Sequence, residues 1–374
     1  MTASVISNKR FQFLDGLRGV AALWVVLMHM HTLIKERSAY SFPFLLDFFL
    51  SHGEVGVSIF FVLSGFVISY SIRNARITWP FIGNFFLRRS LRLDPPYWAA
   101  LIALSAIILI GSFFFNKGGE HVPDGKDLLL NFFYLQNFFS APNILPVAWT
   151  LCLEFQFYFT LVLGLKIIQF FNQNHKKDLF NYNGLSLVLL NGLFLFSLAY
   201  AADLKAELPI EGTFIPFWYS FYMGCLLCWI LTKSIPEYFF YSAMGALLLF
   251  FFRGDNDQIF TTGMVSLGIF YCIKQNKLHT FLSSTIFQYL GKISYSLYLI
   301  HWLVGIKFIS FISFFFQGAS IHPLLLLFLS LGISIGVAEL FYRLIEQPCL
   351  LLSRKIKSYH KDENIEKITP AVKF

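Results

Sequence analysis

Long apolar runs separated by short polar segments make up most of the chain, and apolar positions within each run are continuous rather than alternating. About 20 helical residues cross the hydrocarbon core of a bilayer, so runs of this length predict membrane-spanning helices. Continuous runs disfavour a transmembrane β-barrel, whose strands alternate apolar and polar positions. The pattern predicts ten spans, near residues 17–34, 54–72, 93–115, 147–171, 184–202, 214–232, 236–252, 258–274, 284–316 and 321–343.

Two apolar runs differ in length from an ordinary span. The run 284–316 is too long for one straight helix across a bilayer, and we expect it to be broken or tilted. The run 128–140, LLLNFFYLQNFFS, is too short to cross, and we interpret it as a re-entrant or interfacial segment.

Composition agrees with a membrane protein. The chain has 374 residues, of which 56% are hydrophobic and 13% charged, and its mean hydropathy is +0.63. A soluble domain carries about a quarter of charged residues, so the fold class is all-α, a polytopic helical membrane protein. Lys and Arg concentrate in alternate loops, and the positive-inside rule then places both termini in the cytoplasm. The net charge of +8 therefore predicts orientation rather than a nucleic-acid partner.

The domain organisation is simple. We predict a cytoplasmic N-terminal tail over 1–9, one membrane domain over 10–347 and a cytoplasmic C-terminal tail over 348–374, which is too short to bury its own core. The first apolar run carries charges and lacks a small-residue cleavage site, so we interpret it as a retained helix rather than a signal peptide. Cys225 and Cys228 form a CxxC inside a predicted span, where buried thiols are a better interpretation than a disulfide or a metal pair.

The first predicted helix contains three ionisable residues within its apolar run. Arg18 and His29 are eleven residues apart, which returns to nearly the same helix face and separates them by roughly 16 Å along the axis. Asp15, one turn before Arg18, is placed to pair with it. Ionisable groups at membrane depth are costly and usually functional, so this stripe is expected to face the protein interior or a water-filled cleft.

Glu154, in AWTLCLEFQFYF, is a second intramembrane charge. It lies roughly 10 Å inside its helix and at a depth similar to that of His29. A histidine with a carboxylate partner is suited to general-base catalysis. The same two residues could equally form a structural ion pair between helices, and spacing leaves both interpretations open.

A basic cluster precedes the third predicted span, in FLRRSLRLDPPYW. Arg89 and Arg92 are three residues apart and share a helix face, with Arg88 beside them. Arginine forks bind phosphate in a bidentate manner. Taken alone, the cluster is better explained as an ordinary cytoplasmic anchor.

Further polar groups lie in GEVGVSIFFVLSGF and GKISYSLYLIHW. Ser64, Tyr298 and His301 are candidates for supporting roles, although a lone buried histidine such as His301 is more often a packing residue. His29 and His31 form an HxH without a nearby Cys or acidic partner, so we predict no metal site.

Together these segments resemble the acyltransferase 3 family of integral membrane acyltransferases, over about residues 10–347. The resemblance rests on the ordered presence of several segments: LDGLRGVAAL with His29 eleven after Arg18, GVSIFFVLSGF, RRSLRLDPPYW, AWTLCLEFQFYF, SYSLYLIHW and FYRLIEQP. The chain ends without a hydrolase-like C-terminal domain, so it resembles the stand-alone members.

The resemblance implies transfer of an acyl group, often acetyl, from cytoplasmic acyl-CoA to a hydroxyl. The implied acceptor is an extracytoplasmic glycan or lipid-linked saccharide, such as O-antigen, lipopolysaccharide or exopolysaccharide, at the bacterial inner membrane. It places catalysis on His29, with Glu154 orienting it, and CoA binding on Arg18, Arg89 and Arg92. No metal cofactor is implied. Acceptor identity, acyl chain length, direct transfer against an acyl-histidine relay, and oligomeric state stay open.

Two other functions are compatible with ten spans. A transporter or flippase would use Arg18, His29 and Glu154 as an intramembrane path, but the sequence lacks paired half-repeats with matching broken helices. A binding or scaffold protein would have lost the chemistry, which the intact set of charged residues disfavours. A requirement for CoA separates the acyltransferase from both.

Overall fold

The computed structural model describes residues 10–38, 40–73, 75–115, 121–171, 184–202, 212–254, 256–315 and 321–356. Within these ranges the regular elements are all helices, so the all-α prediction is confirmed. The predicted N-terminal tail 1–9 and the C-terminal tail from 357 onward lie outside the described residues.

The α-helices of the described chain follow one another with short connections. They are α1 (Gln12–Arg37), α2 (Phe44–Ser51), α3 (Gly56–Ile72), α4 (Trp79–Phe115), α5 (Gly125–Phe132), α6 (Trp149–Phe171), α7 (Gly184–Ala201), α8 (Trp218–Leu231), α9 (Tyr238–Gly254), α10 (Asp257–Lys274), α11 (Thr285–His301), α12 (Lys307–Phe315), α13 (Pro323–Phe341) and α14 (Gln347–Arg354).

Six segments of the described chain are long and apolar enough to cross a membrane. They are Gln12–Arg37, Phe44–Ile72, Trp79–Phe114, Pro146–Ile167, Thr285–Phe315 and Pro323–Arg354. They contain the first four and the last two predicted spans. The four predicted spans between them are also helical, as α7 to α10, but none is among the six. The protein is therefore a polytopic helical membrane protein.

Helix α4 begins earlier than the apolar pattern predicts. The predicted span starts at 93, whereas α4 starts at Trp79, after Thr78 accepts a hydrogen bond from the backbone N–H of Phe81 at 3.2 Å. The arginine cluster lowers the local hydropathy without breaking the helix, because Arg and Leu are good helix formers. The basic cluster therefore lies inside α4 rather than before it.

Two π-helical segments interrupt the last two long spans. Trp302–Ile306 joins α11 to α12, and Tyr342–Glu346 joins α13 to α14. The predicted break in the run 284–316 is thus a π segment that begins directly after His301. Single π turns inside α-helices are frequent at functional sites.

Helices α1 and α11 pack in direct backbone contact. A Cβ added at Gly19 would lie 2.5 Å from the backbone nitrogen of Gly291, and one added at Gly291 would lie 2.2 Å from the carbonyl oxygen of Asp15. Only glycine permits such an approach. The helices run parallel, since Asp15 meets Gly291 near their starts and His29 meets His301 further along. Parallel packing is what alternating crossings require of the first and ninth predicted spans.

The short segment 128–140 folds against α4 instead of crossing. Tyr97 donates a hydrogen bond to the carbonyl of Asn131 at 2.9 Å, and the indole N–H of Trp98 donates to the carbonyl of Phe132 at 3.0 Å. The backbone after α5 then continues through turns. This arrangement agrees with the prediction of a segment that does not span.

The two cysteines of the CxxC are free thiols, and both are fully buried in α8. The Sγ of Cys225 lies 3.6 Å from the carbonyl oxygen of Gly65 on α3. The interpretation as buried apolar cysteines is confirmed for this pair.

Replacing Gly291 by alanine is expected to force α1 and α11 apart. Overpacking of this kind costs typically 1–3 kcal/mol, so the midpoint of thermal unfolding in detergent should fall. Gly268→Ala on α10 is the matched control, because no described atom lies within 4 Å of its added Cβ and alanine favours a helix. Equal unfolding midpoints for the two variants would contradict the close contact.

Candidate active site

A cavity of about 90 Å³ lies between α1, α3, α4, α6 and α11. Three guanidinium groups line it, from Arg18, Arg89 and Arg92, together with the carboxylate of Glu154. The remaining polar lining comes from hydroxyl groups on four of these helices: Ser64, Thr150, Tyr158, Ser294, Tyr295 and Tyr298. The structure thus brings together the three arginines that the sequence separates by more than seventy positions.

Glu154 is held by two short hydrogen bonds. Ser64 donates to its Oε1 at 2.6 Å, and Tyr158 donates to its Oε2 at 2.6 Å. The predicted supporting role of Ser64 therefore has a concrete form, since it fixes this carboxylate. Tyr158 is one turn after Glu154 on α6, and its ring lies 5.1 Å from the guanidinium carbon of Arg89. Tyr158 thereby links the carboxylate to the arginine.

His29 is paired with His301, and the predicted pairing with Glu154 is wrong for the described structure. The Nδ1 of His29 lies 3.1 Å from the Nε2 of His301, with the two rings stacked at a centroid distance of 5.2 Å. The edge of Trp302 contacts His29 at 5.2 Å. Helix α11, not α6, lies along α1, so the neighbour of His29 is supplied by α11.

His301 is therefore more than a packing residue. Its side chain is fully buried, and its Nδ1 lies 3.2 Å from the carbonyl oxygen of Leu297, one turn earlier on α11. Sequence reasoning weighed it as a lone histidine, because the proximity to His29 depends on how α1 and α11 pack.

Tyr298 connects the cavity to the histidine pair. Its hydroxyl lies 3.0 Å from Thr150 Oγ1 and donates to the carbonyl of Val147 at 3.1 Å. Its ring lines the cavity on one side and faces the ring of His301 at 6.1 Å on the other. Tyr298 and Thr150 thus form a layer that separates the arginines from the histidines.

Asp15 does not pair with Arg18 among the described residues, contrary to the sequence prediction. It forms an ion pair with Arg10, which lies just before α1. Arg18 instead lines the cavity, and the helix spacing that placed Arg18 and His29 on one face directs both toward the bundle interior.

The arginine cluster divides between cavity and periphery. Arg89 and Arg92 line the cavity, whereas Arg88, predicted as a supporting residue, is half-buried beside them and outside its lining. Within the next turn of α4, Asp94 accepts hydrogen bonds from Ser90 and from Tyr134, the latter at 3.1 Å. These groups line a smaller cavity of about 20 Å³ that shares Arg89 and Glu154 with the first.

Glu346 is a buried carboxylate that the sequence prediction missed. Its Oε2 accepts hydrogen bonds from the Ser296 hydroxyl at 2.6 Å and from the Ser296 backbone N–H at 3.2 Å. It attracts Arg92 and Arg18 electrostatically. The apolar pattern ended the last span at 343, which left Glu346 in the connecting segment, although it lies within FYRLIEQP.

A model of the acyltransferase domain known as acyltransferase 3 matches residues 11–343. The chain belongs to the acyltransferase 3 family. The match includes all three cavity arginines, Glu154 and both histidines of the pair. Glu346 follows directly after its end.

Relatives with an assigned name are O-acetyltransferases. The O-acetyltransferase OatA of Staphylococcus aureus strain NCTC 8325 is 26% identical over 367 residues, which cover 90% of this chain and 56% of OatA. A protein of S. aureus strain COL, named provisionally as an O-acetyltransferase, is 25% identical over 365 residues with the same coverage of 90% and 56%. The chain thus spans little more than half the length of the curated relatives it matches. No solved structure matches the chain.

Replacing Glu346 by alanine is expected to destabilise the fold. The change leaves the buried Ser296 donors without their acceptor, a cost of about 1–3 kcal/mol, and removes the negative charge near two buried arginines. The measurement is the thermal unfolding midpoint in detergent. Glu237→Gln is the control, since the Glu237–Lys274 pair is exposed and surface ion pairs contribute about 0–1 kcal/mol. A Glu346→Ala midpoint as high as that of the control would remove Glu346 from the charge balance.

Proposed function

We propose that the protein is a membrane O-acyltransferase that moves an acyl group, acetyl in the simplest case, from cytoplasmic acyl-CoA to a hydroxyl of an extracytoplasmic glycan. The observation that carries this proposal is the gathering of Arg18, Arg89 and Arg92 in one cavity of an acyltransferase 3 protein, next to a histidine pair. The named O-acetyltransferase relatives support the reaction type. Their bacterial source supports a place in a bacterial cytoplasmic membrane with both termini inside.

The arginine cavity is the proposed site for the phosphates of CoA. Guanidinium groups form charge-assisted, bidentate hydrogen bonds with phosphate oxygens. In the described chain the carboxylates near these arginines are Glu154 and Glu346, and Glu154 is already engaged by Ser64 and Tyr158. An anionic ligand would complete the balance of charge around three cations in a low-dielectric site. The orientation predicted from Lys and Arg places this cavity toward the cytoplasmic side, where CoA is found.

His29 is the proposed general base. Its Nε2 has no hydrogen-bond partner among the described residues, and its side chain is half-buried rather than sealed. In the proposed reaction Nε2 takes the proton of the acceptor hydroxyl while that oxygen bonds to the thioester carbonyl carbon. The carbon–sulfur bond then breaks, and the departing sulfur of CoA takes the proton from His29. The products are the O-acyl ester and free CoA, and no other reactant is needed.

The layer of Tyr298 and Thr150 lies on the route between the two sites. Acyl transfer across the membrane needs the thioester end of CoA to pass this layer, while the phosphates stay with the arginines. An extended pantetheine arm has the length for this task, and the hydroxyls of Tyr298 and Thr150 offer it polar neighbours. We propose that the layer separates the aqueous spaces on the two sides whenever no pantetheine arm is present.

His29→Ala is expected to lower acyl transfer by about 10²–10⁴-fold, the usual contribution of a general base. The measurement is transfer of label from radiolabelled acetyl-CoA in membranes holding equal amounts of folded protein, with mass spectrometry of the envelope glycan of the expressing cells. His52→Ala is the matched control, because His52 lies outside the pair and next to Asp257. Unimpaired transfer by His29→Ala would remove His29 from the mechanism.

Arg92→Ala is expected to weaken binding of CoA by about 10- to 100-fold, which corresponds to the loss of one or two hydrogen bonds to a charged group. Arg92→Lys should bind with intermediate affinity, since an ammonium keeps the charge but loses the bidentate fork. Calorimetric titration of the purified protein with CoA measures both. Arg343→Ala serves as the control, because Arg343 is exposed and pairs with Glu339 away from the cavity. The phosphate site would be refuted by equal affinity for CoA in Arg92→Ala and wild type.

A further inference from the structure

A chain of two hydrogen bonds leads from the backbone of α11 to the ring of His29. The carbonyl oxygen of Leu297 can only accept, so the Nδ1 of His301, 3.2 Å away, must carry a proton and donate it. A neutral imidazole has one protonated nitrogen, and the Nε2 of His301 is then an acceptor. The Nδ1 of His29, 3.1 Å from that Nε2, must therefore be the donor.

The same bookkeeping fixes the second nitrogen of His29. With its proton on Nδ1, neutral His29 carries a lone pair on Nε2, the nitrogen that has no partner among the described residues. Both rings are neutral at rest, because an unpaired charge at this depth is costly and no described carboxylate lies within ion-pair distance of either ring. The Leu297 carbonyl thus determines, through His301, which nitrogen of His29 can accept a proton.

We infer that His301 is a positioning residue, which holds His29 in the tautomer whose Nε2 is free to act as a base. The tautomer follows from the geometry, and its catalytic consequence rests on the proposed acyl transfer. In this site a neutral imidazole, itself oriented by a main-chain carbonyl, occupies the place that a carboxylate has in a serine-hydrolase triad. Glu154, bound by Ser64 and Tyr158, is not needed for that task.

His301 also stabilises the protonated state that the reaction creates. When Nε2 of His29 takes a proton, the ring becomes a cation whose Nδ1–H still donates to His301. The Nδ1 proton can move to His301 Nε2, which places the charge on a ring whose Nδ1–H is bound to the Leu297 carbonyl. The charge is thereby shared between two stacked rings, with the aromatic edge of Trp302 against them both.

Two substitutions at one position separate this role from packing. His301→Gln keeps an acceptor oxygen near the position of Nε2, whereas His301→Phe keeps an aromatic ring but has no acceptor. We expect His301→Phe to lower kcat by about 100-fold or more with the KM for acetyl-CoA within about threefold of wild type. His301→Gln should retain more than about a tenth of the wild-type kcat. A packing role predicts the reverse order, since phenylalanine fills the space of the imidazole better than glutamine.

The kinetic assay follows release of the CoA thiol from acetyl-CoA, with isolated envelope glycan of the expressing cells as the acceptor. His52→Gln is the control for a histidine outside the pair. The inference is overturned if His301→Phe keeps a kcat within about threefold of wild type, or if His301→Gln loses as much activity as His301→Phe.

A second measurement does not depend on activity. In protein labelled with ¹⁵N in the histidine rings, the nitrogen chemical shifts distinguish protonated from bare nitrogens. We expect Nδ1 protonated and Nε2 bare on both His29 and His301 at neutral pH, with signals assigned from His29→Asn and His301→Phe. A protonated Nε2 on resting His29 would overturn the inference. If wild type transfers no acyl group, the proposed function fails, while these shifts still decide the tautomer.

Discussion

The cost of holding ionisable groups away from water is the constraint on which this structure depends. Each buried charge in the described chain has an answer to that cost. Glu154 is bound by two hydroxyls, Glu346 by a serine side chain and its backbone, and the three arginines converge on the space between these carboxylates. The two histidines solve the same problem differently, by remaining neutral and bonding to each other. Helix packing is arranged around these partnerships, and the glycine contact between α1 and α11 brings the histidine rings together.

Local regularities predicted the parts of the site that lie on a single helix. The helical repeat placed Arg18 and His29 on one face, and Arg89 with Arg92 on another, because side chains eleven or three residues apart share a direction. Hydropathy located the long spans because crossing a bilayer requires a fixed apolar length. It misplaced the start of α4 and the end of the last helix, where Arg92 and Glu346 lower the average without breaking the backbone hydrogen bonds.

Partnerships between helices were not predictable in the same way. Glu154 and His29 have similar depths, and sequence spacing gave no means to distinguish α6 from α11 as the neighbour of α1. The glycines at 19 and 291 were the available signal, since small residues mark close helix contacts, but they name no partner. Asp15 shows the limit within one helix, because Arg10 precedes α1 and reaches the carboxylate that spacing assigned to Arg18. The family model adds the assignment that geometry lacks, over residues 11–343.

The two π segments have a consequence for how the protein can vary. A π turn contains about one residue more than an α turn, so the helix after it is rotated by about 100° relative to the helix before it. His301 ends the regular part of α11, and Glu346 ends the second π segment. Substitutions and length changes in α12 or α14 can therefore change the outward-facing surface without changing the direction of His301 or Glu346. The chain separates, within single continuous helices, a part fixed by chemistry from a part free to adapt to a different membrane or acceptor.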